Sequence, residues 1–298
     1  MNGFLNILKP PGMTSAAVVA RVRRLTGEKR VGHAGTLDPE AAGVLPIMIG
    51  KAARLFDFLV DKEKEYVAEA AFGVSTDTQD ATGHVTSRGD HYPAYDDVVL
   101  MLKRLEGDIV QRPGMFSAIK KDGKPMYELA RKGETAEVPE RIVHVESIVP
   151  RGEMPDHGVL MTVRCGRGTY IRSICDDLGR LCGCPAHMRF LLRTVSGAFT
   201  IDTAMTLEEA EALQKRGELA ARLLPPDMPL GHMAKAVYTE NARRLIAAGA
   251  KLPLTAEQAE TLPDGMNTRV YLNGEFWGIA VRDGGHLVWR AQIAPEET

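Results

Sequence analysis

The chain is short of cysteine. Its 298 residues hold four, Cys165, Cys175, Cys182 and Cys184. They cluster, yet no pair has the Cys-x-x-Cys spacing, and His187 is the one histidine close to them, so zinc ligation gains no support. Cys175 and Cys182 fall on the apolar stripe of an expected helix, and buried reduced thiols are the expectation for all four. Long hydrophobic runs are also lacking: none reaches the roughly 20 residues that span a bilayer. The opening Met1-Asn2-Gly3-Phe4 has no charged lead and no long apolar core. No secretory signal is therefore expected, and the cytoplasm is the expected location. A net charge of −2 excludes a basic signal carried by the whole chain. Internal repeats and low-complexity tracts are missing too.

Charge is present locally. Residues 1–60 carry eight Lys and Arg against four Asp and Glu, and residues 161–200 carry six Arg against two Asp. A basic face on a neutral protein suits a polyanion, although solvated helix faces show the same pattern. The length accommodates one large domain and a small one.

Local signals divide the chain. Phe4–Leu8 reads as a strand broken by Lys9-Pro10-Pro11-Gly12. Thr14 or Ser15 caps a helix from about Ala16 to Thr26, stopped by Gly27. Val44–Ile49 is a short apolar run, and Ala52–Leu59 is expected to be helical. A strand is expected over Glu65–Val74, a helix over Asp96–Glu106, a basic turn at Lys120–Lys124, a helix over Tyr127–Lys132, and strands over Ile142–Val149 and Val159–Cys165. A glycine turn, Gly166-Arg167-Gly168, then leads into a helix whose stripe is Ile171, Ile174, Cys175, Leu178 and Leu181. Tyr170 and Arg172 lie in its first turn, off that stripe. A cation there opposes the helix dipole, so helix propensity does not account for Arg172, and a paired carboxylate would. Pro225-Pro226-Asp227-Met228-Pro229 reads as a linker, and Asn273-Gly274 between two apolar runs is a hairpin signal. A small, mostly β domain therefore closes the chain.

The segment with the most chemistry is Gly35-Thr36-Leu37-Asp38-Pro39, led in by Arg30-Val31-Gly32-His33-Ala34. It puts one carboxylate on a tight turn between glycines. Such an acid can attack or act as a base. Asp before Pro is equally a common helix start, with Asp as N-cap and Pro at the first helical position. The local sequence leaves both readings open.

Taken together, Lys9-Pro10-Pro11-Gly12, Gly32-His33-Ala34-Gly35-Thr36-Leu37-Asp38-Pro39, Glu65-Tyr66, Gly168-Thr169-Tyr170-Ile171-Arg172, Asp176-Asp177-Leu178-Gly179, Ala186-His187 and Leu191-Leu192-Arg193 resemble the bacterial tRNA pseudouridine-55 synthases of TruB type. The resemblance covers nearly the whole chain. It implies an α+β pseudouridine-synthase fold with a mixed, largely antiparallel central sheet over residues 1–232. A small β-rich, PUA-like RNA-binding domain would occupy 233–298. It implies an isomerase that flips the uridine at position 55 of the tRNA T-arm loop out of its stack, detaches the base from C1′ and rejoins it through C5. No cofactor, metal, membrane or obligatory protein partner is implied, and a monomer is expected. The implied catalytic residues are Asp38, Tyr66 and Arg172, with Arg172 pairing the acid and Tyr66 stacking on the flipped base. His33, Tyr170 and Leu191 would bind substrate. Lys9 and Arg30 would meet RNA, Lys9 being alternatively a structural contact. The small domain would grip the acceptor side. A binding module without turnover and a nucleosidase are the rival classes.

Overall fold

A computed structural model describes residues 1–59, 63–116, 120–121, 124–126 and 138–294. Two compact units emerge. One comprises Met1–Pro39, Gly43–Asp61 and Gly197–Thr298; the other comprises Glu40–Ala42 and Lys62–Ser196.

In the first unit, strand Gly3–Lys9 runs antiparallel to Ala42–Ile49, from Gly3 opposite Ile49 to Lys9 opposite Gly43. The short strand Val31–His33 pairs with the same partner, His33 opposite Ile47. Nearly every residue of Ala42–Ile49 is buried, which is why it reads as a continuous apolar run and not an alternating one. Helix Ser15–Thr26 follows the first strand. Thr14 caps it by accepting from the Ala17 N–H, and Gly27 ends it at φ +70°. The expected helix over 52–59 is a 3-10 turn, Gly50–Leu55, continued by one α-turn, Phe56–Leu59.

A five-stranded sheet closes this unit in the order Ala234–Tyr238, Asn267–Leu272, Glu275–Asp283, His286–Gln292, Leu252–Pro253. Asn273 and Gly274 make its first hairpin turn, both at positive φ, as the sequence indicated. One face buries Val270, Leu272, Trp277 and Leu287. Ile279, Ala291 and Ile293 instead join a core with Phe4, Val44, Met48 and Leu55. The proline-rich segment is no loose linker. Leu224 and Phe4 exchange both backbone hydrogen bonds at 2.9 Å, Leu230 is fully buried in that core, and Tyr271 donates to Asp227.

The second unit carries an antiparallel ladder in the order Ala186–Ser196, Lys64–Phe72, Gly158–Cys165, Arg141–Met154, Gly107–Gln111. Helix Ile171–Leu181 packs on its first two strands. The approach is close: a Cβ on Gly179 would come within 2.7 Å of Ala186. The buried stripe ends at Leu178 and Gly179; Leu181 is exposed and Cys182 is only half-buried at the helix end. Expected Asp96–Glu106 is helix Tyr95–Leu102 plus a 3-10 turn. The basic turn shows as paired strands Lys120–Lys121 and Lys124–Pro125, whereas the helix expected over 127–132 lies outside the described residues. Among the described residues no helix is long and apolar enough to cross a membrane.

Candidate active site

Asp38 sits on irregular chain between Val31–His33 and Ala42–Ile49, half-buried, and no helix starts at Pro39. The helix-cap alternative is therefore overturned. Gly35 at φ +100° and Gly43 at φ +117° supply the turns that open and close the segment. Its apolar residues Ala34, Leu37 and Ala41 are buried and anchor it. Two distant side chains fix its backbone. The Ser15 hydroxyl accepts from the Leu37 N–H at 2.9 Å and donates to the Leu37 carbonyl at 3.0 Å. The Lys9 ammonium donates to the carbonyls of Pro39 (2.8 Å), Pro10 (2.8 Å) and Met13 (2.6 Å).

Lys9 needs correcting as an RNA contact. It is 0% exposed and acts as an internal brace, because a buried ammonium is tolerable only where carbonyls surround it. Arg30 is exposed, and His33 is half-buried at the end of its strand.

In the second unit, Tyr66 lies on Lys64–Phe72 and is 7% exposed. Directly opposite it on the neighbouring strand is Arg193, fully buried, and Leu191 lies opposite Ala68 two residues further along. Opposed residues share a sheet face, so Tyr66, Arg193 and Leu191 line one patch.

Tyr170 is the N-cap of helix Ile171–Leu181 but its side chain caps nothing. Its backbone is gripped by the fully buried Gln111, whose amide oxygen accepts from the Tyr170 N–H at 3.0 Å while the amide nitrogen donates to the Tyr170 carbonyl at 3.1 Å. The Arg141 guanidinium lies 5.8 Å from the Tyr170 ring centroid, a cation–π contact.

Arg172, off the apolar stripe of its helix, is nonetheless buried at 5% exposed. Its guanidinium donates to the Thr78 and Phe116 carbonyls, both at 2.9 Å, and its Nε is 4.0 Å from an Asp80 carboxylate oxygen. These acceptors offset the adverse dipole and the loss of water. The other Asp80 oxygen accepts from Thr78, from the Thr82 N–H and from the Thr82 hydroxyl, so the carboxylate is fixed in its turn. Gln79, at φ +63°, accepts from Ser173 and donates to Asp176, tying that turn to the helix.

Four contributors were invisible as such in the sequence: Ser15, Asp80, Gln111 and Arg193. Ser15 appeared there only as a candidate helix cap and Arg193 only within the Leu191-Leu192-Arg193 motif. The cysteines carry no sign of nucleophilic activation. Burial pushes Cys165 and Cys182 each to about 11 and raises Cys175 further. Among the described residues no group of His, Cys, Asp and Glu is placed to hold a metal ion.

The chain matches the model of the TruB family pseudouridylate synthase N-terminal domain over residues 23–171, and that of the tRNA pseudouridylate synthase B C-terminal domain over 172–231. It belongs to the TruB family of pseudouridylate synthases. Relatives named tRNA pseudouridine synthase B include one from Alkaliphilus oremlandii, 43% identical over 94% of this chain and 93% of that protein. Another, from Dehalococcoides mccartyi, is 40% identical over 99% of this chain and 93% of its own. That of Bacillus subtilis strain 168 is 39% identical over 91% and 89%. Among solved structures, a chain of a Cbf5-Nop10-Gar1 complex superposes with a TM-score of 0.73 at 26% identity, covering 98% of this chain and 84% of that one. A chain of an H/ACA RNP bound to a substrate RNA shares the fold with a TM-score of 0.74 at 24% identity, covering 99% and 86%. As a TruB-family member the protein is an isomerase that converts uridine in tRNA to pseudouridine.

Proposed function

We propose that the uridine is position 55 of the T-arm loop and that Asp38 is the essential acid. The observation that supports the role of Asp38 is its backbone, fixed on one side through Leu37 by Ser15 and on the other through Pro39 by Lys9; the target position follows from the resemblance to the tRNA pseudouridine-55 synthases. A loop carboxylate held this firmly is preorganised for chemistry. A base stacked in an RNA loop must be extracted before its glycosidic bond is reachable. Tyr66 then provides the stacking face, with Tyr170, Leu191 and His33 completing the binding of the flipped nucleotide. When the C1′–N1 bond breaks, positive charge grows on the sugar and negative charge on the base. The carboxylate of Asp38 stabilises the first, and Arg172 is the arginine assigned to work with it in this reading. The base turns, C5 bonds to C1′, the hydrogen on C5 leaves as a proton, and N1 takes up a proton, so that the product is an isomer of the substrate.

In this reading residues 1–232 do the chemistry. Residues 233–298 hold the acceptor side of the tRNA, and Arg30 meets the phosphate backbone. The enzyme works as a monomer in the cytoplasm.

Release of tritium from a tRNA transcript labelled at uridine C5 tests the proposal. Asp38→Asn should abolish release while the dissociation constant for tRNA stays within about twofold, since phosphate contacts dominate affinity. Near-normal release would remove Asp38 from the mechanism. A transcript with cytidine at position 55 should give no release; undiminished release would show another target. Free uracil among the products would favour a nucleosidase.

A further inference from the structure

An acid on irregular chain aims its carboxylate only as well as the peptide planes around it are held. The plane joining Leu37 to Asp38 contains the Leu37 carbonyl and the Asp38 nitrogen. Ser15 grips residue 37 at both of its backbone groups, accepting at 2.9 Å and donating at 3.0 Å. Ser15 and Leu37 are each 3% exposed, so water does not compete for either bond. Ser15 is moreover the first residue of helix Ser15–Thr26, whose start is fixed by the Thr14 cap and whose Val18, Val19 and Val22 are buried. The hydroxyl is thus mounted on a rigid element, and that rigidity passes directly to the residue before the acid. Helix capping does not require this serine, because Thr14 already fills that role.

We propose that Ser15 is a positioning residue for catalysis, orienting the Asp38 carboxylate through the Leu37 backbone. This rests on the reading of Asp38 as the essential acid. Ser15 touches no reacting atom. Its hydroxyl sets the direction of the plane from which the acid projects, and its removal leaves two buried backbone groups to find other partners by moving the loop.

The test uses the full chain and a tRNA transcript tritiated at uridine C5. Ser15→Ala should lower the single-turnover rate at saturating enzyme by about 10- to 100-fold, the scale of a misplacement near 1 Å. The dissociation constant for tRNA should stay within about twofold. Ser15→Thr, which keeps the hydroxyl, should restore most of the rate. If Ser15→Ala does not fold, Ser15→Cys, similar in size but with weaker hydrogen bonds, carries the test and should turn over more slowly than the native enzyme. A normal single-turnover rate in the folded Ala or Cys variant overturns the inference. So does a deficit matched by an equal loss of tRNA-binding-competent protein, or a folded Thr variant as slow as the alanine. Asp38→Asn separates the two readings. If that variant turns over, the acid assignment falls; if it is inactive while Ser15→Ala is normal, only the role of Ser15 falls.

Discussion

The acid and the arginine are carried on supports of opposite kind. Asp38 projects from chain with no regular structure, and its neighbours are held by side chains that reach the backbone, Ser15 at Leu37 and Lys9 at Pro39. Arg172 is the second residue of a helix whose apolar stripe is already anchored in a sheet, and there the side chain itself reaches out to backbone carbonyls at Thr78 and Phe116. A helix supplies a stiff base and leaves only the guanidinium to be oriented. A loop supplies no base, so one must be assembled from elsewhere in the unit. The loop should therefore be the more sensitive to losing one backbone clamp, and the helix to losing the side chain's own geometry.

The largest effect that would sharpen this contrast is expected for Arg172→Lys. The charge remains, but a single ammonium replaces a planar fork serving several acceptors. Single-turnover tritium release should fall on the order of 100-fold with the helix intact by circular dichroism. A near-normal rate would mean that charge alone matters. Next comes Gln111→Leu, which deletes the grip on Tyr170 as Ser15→Ala deletes the grip on Leu37. About a tenfold loss of rate is expected, less than for the serine, because the stripe of Ile171, Ile174 and Leu178 still holds the helix. An equal or greater loss would break the comparison.

The smallest effect concerns stability. Burial raises the Asp177 carboxyl to about 6, against the pull of Arg180. Its ordinary value is about 3.9. The folded state holds this proton more tightly than the unfolded chain, so the associated stability is present below pH 4 and is lost as pH rises through 6. Asp177→Asn should then be more stable than the native protein by about 3 kcal/mol at pH 8, with the gap closing towards pH 4. Urea unfolding at the two pH values measures it; a gap independent of pH would point to packing.

Elements with local signatures were legible in the sequence. Thr14 and Gly27 bounded the first helix, and Asn273-Gly274 marked the hairpin, because caps and tight turns are decided within a few residues. Asp38-Pro39 was ambiguous because the same dipeptide serves a helix start or a turn. What decides it is Ser15, 22 residues away from Leu37. Arg172 was legible as an anomaly but not as a buried group, since its carbonyl partners lie 94 and 56 residues distant. Lys9 could be read as an RNA contact or a structural contact, but its three carbonyl partners could not be named, and the proline-rich segment could be read as a break but not as packed chain. Composition reports flexibility; it does not report a backbone pairing with the first strand.

That pairing bears on how the small domain can be studied. Phe4 is bonded to Leu224, and one core is built jointly by Phe4, Val44, Ile279, Ala291 and Ile293. A truncation after residue 232 would strip three apolar side chains from that core and leave the others facing water. The terminal sheet is thus part of what keeps the amino-terminal strands dry, and point substitutions on its exposed surface, rather than its excision, are the way to ask what it contributes to RNA.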